Sequence, residues 1–106
     1  VVMLLRIVKM EFDPAQVEAF DALFARAQTR IEAMSGCHQV RLLRGCGDDP
    51  IRTTLSWWEH ESDLQAYRKS QLFGEVWPKT KAMFKAPPVA WSLDWPADEP
   101  IPSAGE

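Results

Sequence analysis

The order in which strand-like and helix-like segments follow one another is the feature that most limits the fold of this chain. Met3–Phe12 is rich in aliphatic and β-branched residues, which predicts a first strand. Apolar residues then recur at spacings of three and four, which predicts a helix with one buried face. They are Val17, Phe20, Phe24, Ala27, Ile31 and Met34. Cys37–Arg44 and Ile51–Trp58 are predicted strands, joined through 45–50 by the glycine, aspartate and proline typical of a hairpin loop.

Residues with special backbone preferences predict where the helices begin, bend and end. Asp13 is expected to cap the first helix, and Gly36 to end it in the left-handed conformation. A second helical pattern covers 61–84. Pro78 cannot continue that helix smoothly, because it donates no hydrogen bond and its ring would meet the carbonyl of Gly74. We therefore expect two helical pieces, or one helix kinked at Pro78.

A last strand completes the order of elements and defines the fold class. Val89–Trp95 alternates apolar and polar residues, as a half-covered strand does. The order is therefore β-α-β-β-α-β, that of ferredoxin-like α+β folds, in which an antiparallel four-stranded sheet carries both helices on one face. Residues 1–95 form the predicted domain. The polar, proline-rich segment 96–106 is a predicted C-terminal tail.

Both faces of the predicted sheet carry apolar side chains, although one chain provides helices for only one face. The first strand places Leu4 and Val8 on one side and Leu5 and Ile7 on the other. An uncovered face of this composition exceeds the apolar patch that monomers tolerate. We therefore expect a homodimer whose two sheets pack face to face and close into a barrel. Five tryptophans in 106 residues agree with extensive interfaces or pockets.

Charge and composition exclude several classes of partner. A net charge of −3, with cations scattered among acids, argues against a nucleic-acid surface. No apolar run approaches the roughly 20 residues of a membrane span, and the first residues lack a signal-peptide pattern, so we expect a cytoplasmic protein without a membrane partner. Cys37 and Cys46 lack CxxC spacing, and His38 and His60 are the only histidines, which predicts free thiols and no metal site.

The segment from Ser56 to Trp77 resembles the antibiotic biosynthesis monooxygenase family. It has a strand ending in Trp-Glu, an acidic helix start and the pattern Leu-x-x-Tyr-x-x-Ser-x-x-Phe from Leu64 to Phe73. The resemblance implies a dimeric α/β barrel. Family members that oxidise polycyclic phenols without metal or flavin bind the substrate between the helices and the sheet. The resemblance therefore also implies a substrate pocket at this place.

Four aromatic residues are candidates for substrate binding, the first by resemblance to the strand tryptophan of the family pocket and the other three from their spacing on the second helical segment. They are Trp58, Tyr67, Phe73 and Trp77. Trp57 is the alternative to Trp58 for the tryptophan at the end of the third strand. A helical stripe like the one that contains the other three is usually core packing, and within it Tyr67 and Trp77 are the residues expected to border a cavity. No catalytic residue is assigned, although His60 has the chemistry of a base at neutral pH.

The haem-degrading branch of the family differs from this chain at three positions. Its helical tryptophan and its iron-binding histidine correspond here to Tyr67 and Trp77, and its first-strand asparagine falls among Leu4, Leu5 and Arg6. An indole nitrogen only donates and cannot ligate iron. We therefore expect no haem, and no other cofactor.

Three functional hypotheses are compatible with these observations. The leading one is a cofactor-independent monooxygenase that acts on a small flat aromatic or phenolic substrate. The alternatives are a non-catalytic small-molecule-binding or stress-response dimer and an isomerase that works by proton transfer. A buried base would distinguish the catalytic hypothesis from the binding hypothesis, and the sequence shows none convincingly.

Overall fold

The chain forms the predicted sheet and helices in this computed structural model, which describes residues 2–102. The elements are β1 (Met3–Glu11), α1 (Val17–Glu32), β2 (Cys37–Arg44), β3 (Ile51–Trp58), α2 (Glu61–Arg68), α3 (Gln71–Lys81) and β4 (Val89–Trp95). Within the described residues the strands make one antiparallel sheet in the order β2-β3-β1-β4. The predicted ferredoxin-like α+β fold is confirmed, and so is the hairpin of β2 and β3. Residues 103–106 of the predicted tail lie outside the described residues.

The first helix begins later than its predicted cap. The Asp13 carboxylate accepts a hydrogen bond from the amide of Ala15 at 3.0 Å, and the Asp13 carbonyl accepts one from Gln16 at 2.8 Å. These bonds close a separate turn, and α1 starts only at Val17. The prediction that Asp13 caps the helix is therefore wrong, because its side chain is used by the turn that precedes it.

Gly36 has the predicted left-handed conformation, with φ of +80°, but it does not end the helix as predicted. The helix α1 ends at Glu32 with Ala33 as its C-cap, and Gly36 lies in the turn that leads to β2. A Cβ atom at this position would lie 2.2 Å from carboxyl atoms of Asp63. The same carboxylate accepts a hydrogen bond from the amide of His60 at 3.1 Å, and Glu59 donates to the Gly36 carbonyl at 2.7 Å. Gly36 therefore lets the start of α2 approach the end of α1.

The second helical segment does divide into two pieces, but the break is not at Pro78. It falls at residues 69–70, where the Ser70 hydroxyl donates to the Tyr67 carbonyl at 2.6 Å and accepts from the Phe73 amide at 3.2 Å. Pro78 lies inside α3. One missing donor does not end a helix, whereas a serine that closes one helix and caps the next does.

The strands alternate between an inner face, which meets the helices, and an outer face on the opposite side. Met10, Val40 and Trp58 of the inner face pack with apolar residues of α1 in the buried core. The outer face has large apolar residues on all four strands. They are Met3, Leu5, Ile7, Leu43, Leu55, Trp57, Val89, Trp91, Leu93 and Trp95.

Part of the outer face is exposed in the isolated chain. Leu43, Val89, Trp91 and Leu93 are 42–49% exposed. Trp57 is 1% exposed, and the edge of the Trp95 ring packs against it at 5.6 Å. The structure therefore places apolar residues on both faces of the sheet, as the alternation in β1 predicted.

Candidate functional site

A cavity of about 300 Å³ lies between the three helices and the inner face of the sheet. Inner-face residues of β1 and β3 form its floor, and α1, α2 and α3 contribute its walls. Pro88 and Ala90 line it at the β4 edge, where the inner face of the strand is exposed. Its volume is at the lower end of the range for small-molecule sites, which is roughly 300–1,000 Å³.

The structure brings all four predicted substrate-binding residues together on the lining of this cavity. Trp58 stacks on Tyr67 with ring centroids 5.3 Å apart, and Tyr67 meets Phe73 edge to face at 5.2 Å. Phe73 in turn stacks on Trp77 at 5.6 Å. These four side chains form a continuous surface, called here the aromatic wall. Such a surface suits a flat ring, because aromatic pairs prefer stacked and edge-to-face geometries.

The aromatic wall continues into the hydrophobic core. Trp77 meets Phe84 at 5.7 Å, and Phe84 meets Phe12 at 5.3 Å. Phe12 is fully buried and stacks on Phe20 at 4.3 Å. The helical stripe is therefore both pocket wall and core, because one of its ends lines the cavity and the other packs in the hydrophobic core.

The register of β3 determines which of its two adjacent tryptophans lines the cavity. Trp58 is fully buried on the inner face, and its indole nitrogen donates to the Ser56 hydroxyl at 2.9 Å. Trp57 points to the outer face and does not line the cavity. Because its ring is fixed by a hydrogen bond and by Tyr67, Trp58 is a rigid part of the wall.

The hydroxyl of Tyr67 is the polar group at the centre of the aromatic wall. The pKa of Tyr67 is raised to about 12, mainly by burial and to a smaller extent by the thiolate that Cys37 forms at high pH. The phenol therefore stays protonated at neutral pH and can donate a hydrogen bond. Within residues 2–102 the hydroxyl makes no hydrogen bond, so its donor is available to a ligand.

Two arginines also line the cavity, and the sequence analysis did not identify them as site residues. Arg6 lies on the inner face of β1, and its Nη1 donates to the Ser92 hydroxyl at 2.9 Å. Arg68 is exposed at the C-terminal end of α2. Burial, and secondly the charge of Arg68, lower the pKa of Arg6. The signal for Arg6 was present, since alternation in β1 places it between Leu4 and Val8 on the side that faces the helices.

Among the described residues, those that line the cavity include no histidine, cysteine or carboxylate. His60 lies at the start of α2, where it is exposed and its amide donates to Asp63. In residues 2–102 no group of three or more potential ligands from His, Cys, Asp and Glu could hold a metal ion. Cys37 and Cys46 are free thiols. None of the helices in this range is long and apolar enough to cross a bilayer.

The comparison with protein families gives one match. The pattern of the antibiotic biosynthesis monooxygenase family covers residues 3–78, which include β1, the aromatic wall and both arginines. No curated protein matches the sequence.

Solved structures with similar folds come from several microorganisms. A conserved protein from Methanosarcina mazei superposes with a TM-score of 0.82 at 18% identity, covering 87% of this chain and 91% of the other. A candidate antibiotic biosynthesis monooxygenase from Caulobacter crescentus gives 0.81 at 17% identity, covering 88% and 89%. Another such candidate, from Bordetella bronchiseptica, gives 0.78 at 24% identity, covering 88% and 96%. At these identities the similarity shows a shared fold.

Proposed function

The chain belongs to the antibiotic biosynthesis monooxygenase family, and from this membership we propose that it is a cofactor-independent monooxygenase for a small flat phenol. The observation that carries the proposal is the aromatic wall with the protonated Tyr67 hydroxyl at its centre. A planar ring bound against the wall would stack on indole and phenyl surfaces. Its oxygen would accept the hydrogen bond that Tyr67 gives to no residue in the described range.

The proposed reaction requires the protein to stabilise an anion. A phenol that loses its proton becomes electron-rich enough to pass electrons to molecular oxygen. In the net conversion of an activated CH₂ group to a carbonyl, the substrate supplies four electrons. One oxygen atom enters the substrate, and the other leaves as water with the two hydrogens. The cavity contributes orientation on the aromatic wall and positive charge from Arg6 and Arg68.

Deprotonation of the substrate is the step with the least help from side chains. Among the described lining residues none has the chemistry of a base at neutral pH. The proposed substrate therefore transfers its proton to solvent, and the two guanidinium groups lower its pKa by favouring the anion. The rate is expected to rise with pH through the pKa of the bound phenol.

The lack of a lining base also favours a second candidate function. A non-catalytic dimer would use the same cavity to hold a flat ligand and would need no proton acceptor. The two functions share the ligand class and differ in turnover.

Self-association is part of the proposal. The exposed apolar residues of the outer face, on β2 and β4, would be covered if the outer faces of two copies packed together. Such an isologous contact closes the two sheets into a barrel.

Oxygen consumption by the purified protein tests the catalytic proposal. A panel of anthrones, naphthols and hydroquinones should include a substrate that consumes one O₂ per molecule, with one labelled oxygen atom found in the product. Saturable binding without oxygen consumption would favour the binding dimer. Absence of both binding and turnover across the panel would overturn the proposed function.

Substitution of Tyr67 by phenylalanine tests the assigned hydrogen bond. The affinity for a naphthol, measured by quenching of tryptophan fluorescence, should fall by about 1 kcal/mol, or about fivefold in Kd, which is the usual size of one neutral hydrogen bond. Naphthalene has no hydroxyl and is the matched control, so its affinity should not change. An equal loss for both ligands would mean that the substitution disturbs the wall and would contradict the hydrogen bond.

A further inference from the structure

Two cations line the cavity, and neither has a carboxylate partner in the described part of the chain. Arg6 is half-buried on the inner face, and Arg68 is exposed beside it at the end of α2. Neither guanidinium forms an ion pair within residues 2–102. A cation in the last turn of α2 complements the helix dipole, which accounts for the presence of Arg68. It does not account for an arginine on the inner face of a sheet.

Two more arginines lie on the inner face, Arg44 of β2 and Arg52 of β3, and both form ion pairs with Asp21, at 3.9 and 2.8 Å. Arg52 of β3 is buried, and its guanidinium bonds both carboxylate oxygens of Asp21, at 2.8 and 3.0 Å. Its third nitrogen, Nη1, donates to the Asp49 carbonyl at 3.3 Å and to the Ile51 carbonyl at 3.0 Å. Within the described residues Arg6 has only the neutral Ser92 hydroxyl. Within residues 2–102 the fold therefore supplies a carboxylate to Arg44 and Arg52 and none to Arg6.

The surroundings of Arg6 disfavour its positive charge as long as no anion is bound in the cavity. Removing a guanidinium from water disfavours its charge, and a second cation nearby adds repulsion. Asp94 is on the same face of β4, opposite Leu4, but it is exposed and makes no ion pair with Arg6. An anion bound at the cavity would offset both the burial of Arg6 and the repulsion from Arg68.

We propose that the ligand carries a carboxylate as well as an aromatic ring, and that Arg6 and Arg68 bind this carboxylate at the β4 side of the cavity. The proposal rests on the proposed function for the ring, which stacks on the aromatic wall. Planar guanidinium groups match the two oxygens of a carboxylate, and they give stronger and more directional hydrogen bonds than neutral donors. Ser92 holds Arg6 in place through Nη1, which leaves its other donors for the ligand. Arg6 and Arg68 are thus specificity-determining residues.

A matched ligand pair tests this inference. A naphthol and the corresponding hydroxynaphthoate share ring and hydroxyl and differ only in the carboxylate. Fluorescence titration of the native protein should show the hydroxynaphthoate binding at least about tenfold more tightly, as expected of a charge-assisted hydrogen bond. Arg6→Met should abolish this preference at a pH below the pKa of the naphthol, where the neutral ring and hydroxyl are bound by the aromatic wall and Tyr67.

Further variants keep the test decisive if Arg6→Met folds poorly. Arg6→Lys retains the charge and loses the planar fork, so it should keep only part of the preference. Arg68→Met should reduce the preference and its dependence on salt, because Arg68 is exposed to solvent. Arg26→Met, an exposed position on α1 away from the lining, is the matched control and should behave as the native protein.

The outcomes separate this inference from the proposed function. Binding of the naphthol without a preference for the hydroxynaphthoate would overturn the carboxylate site and leave the phenol pocket standing. A preference that survives both Arg6 variants would also overturn it, since another group would then bind the anion. Failure of both ligands to bind would overturn both proposals.

Discussion

The inner and outer faces of the sheet carry similar side chains in different surroundings. On the inner face, Trp58 is fully buried and stacks on Tyr67 beside a cavity. On the outer face, Trp91 is 45% exposed and Leu93 is 48% exposed. Both faces are rich in apolar area. They differ in shape, because helices close one side into a cavity and leave the other as an open surface.

Polar groups distinguish the two faces more sharply than apolar ones do. On the inner face, Arg6 and the Tyr67 hydroxyl are directed at an open space that a small molecule fits. On the outer face, Gln39 and Trp57 are cross-strand neighbours whose buried side-chain nitrogens have no acceptor within residues 2–102. Buried donors normally have partners. The inner face therefore has the features expected of the proposed ligand site, and the outer face has those expected of the proposed contact with a second copy.

The largest expected effect comes from placing a charge on the outer face. Leu93→Asp removes the burial of a leucine in each copy and would put a carboxylate in the contact, at a cost of about 4 kcal/mol or more per dimer. Size exclusion with light scattering should give a mass near 12.1 kDa for the variant and twice that for the native chain.

Ala90→Asp is the matched control for this test, because Ala90 is on the same strand and lines the cavity. It should keep the mass of the dimer and weaken ligand binding. A monomeric native protein, with its mass unchanged by Leu93→Asp, would remove the distinction between the faces.

The stability of the inner side of the fold should depend on the close contact between the turn at Gly36 and the start of α2. Gly36→Ala forces a side chain into the left-handed region, where φ is +80°, and against the Asp63 carboxylate. The expected loss is about 3 kcal/mol, measured by urea unfolding. Gly47 has φ of +64°, but no atom lies within 4 Å of the place that an added methyl group would occupy, so Gly47→Ala should cost only about 1 kcal/mol. Equal losses for both variants would show that Asp63 moves aside freely.

The titration of Tyr67 reports on the inner face alone, because Tyr67 is the only tyrosine in the sequence. Its pKa is raised from 10.0 to about 12 by burial, with the charge of Cys37 as the second cause. In the unfolded chain the phenol ionises near pH 10, whereas in the folded chain it holds its proton. Stability is therefore unaffected below pH 10 and should fall by about 2–3 kcal/mol as the pH rises from 10 to 12.

Absorbance of the tyrosinate ion measures this titration directly. Tyr67→Phe should remove the transition and its contribution to the loss of stability above pH 10. A transition near the ordinary value would mean that the phenol is solvated and that the aromatic wall is not formed.

The smallest effect concerns the tail beside the outer face. Truncation after Trp95 removes the hydrogen bond from the Trp95 indole to the Glu99 carbonyl, which is 3.0 Å long. We expect a cost of about 1 kcal/mol and a melting temperature within a few degrees of the native value. Trp95→Phe loses the same hydrogen bond and keeps the tail, so it should match the truncation. A much larger drop for the truncation alone would mean that the half-buried Ile101 packs against the domain.

The elements of the fold were predictable where local chemistry decides the structure. The turn-forming residues of the loop 45–50 mark the end of β2 and the start of β3. Both strands have the predicted bounds. The break in the second helical segment was predicted at Pro78 because proline is the residue in that segment with the strongest tendency to interrupt a helix. Ser70 acts only through two hydrogen bonds, to Tyr67 and Phe73, which a single-sequence pattern does not show.

The candidate site was predictable for its aromatic residues and not for its charges. A family pattern pointed to Trp58 and Tyr67, and strand register was needed to decide between Trp57 and Trp58. Arg6 was missed because a lone arginine in an apolar strand is usually an exposed side chain. Its importance depends on Arg52 having Asp21 while Arg6 has no carboxylate, and that contrast exists only in three dimensions.

The alternation of β4 has a consequence for how the protein can evolve. Ser92 points toward Arg6, and its neighbours Trp91 and Leu93 point the other way. Under the two proposals, point mutations in this strand therefore alter ligand choice and self-association separately. A codon gained or lost inside the strand would exchange the two sets of residues, turning an indole toward the cavity and a hydroxyl toward the outer surface. We expect natural variation in β4 to proceed by replacement, with selection acting strongly against changes in its length.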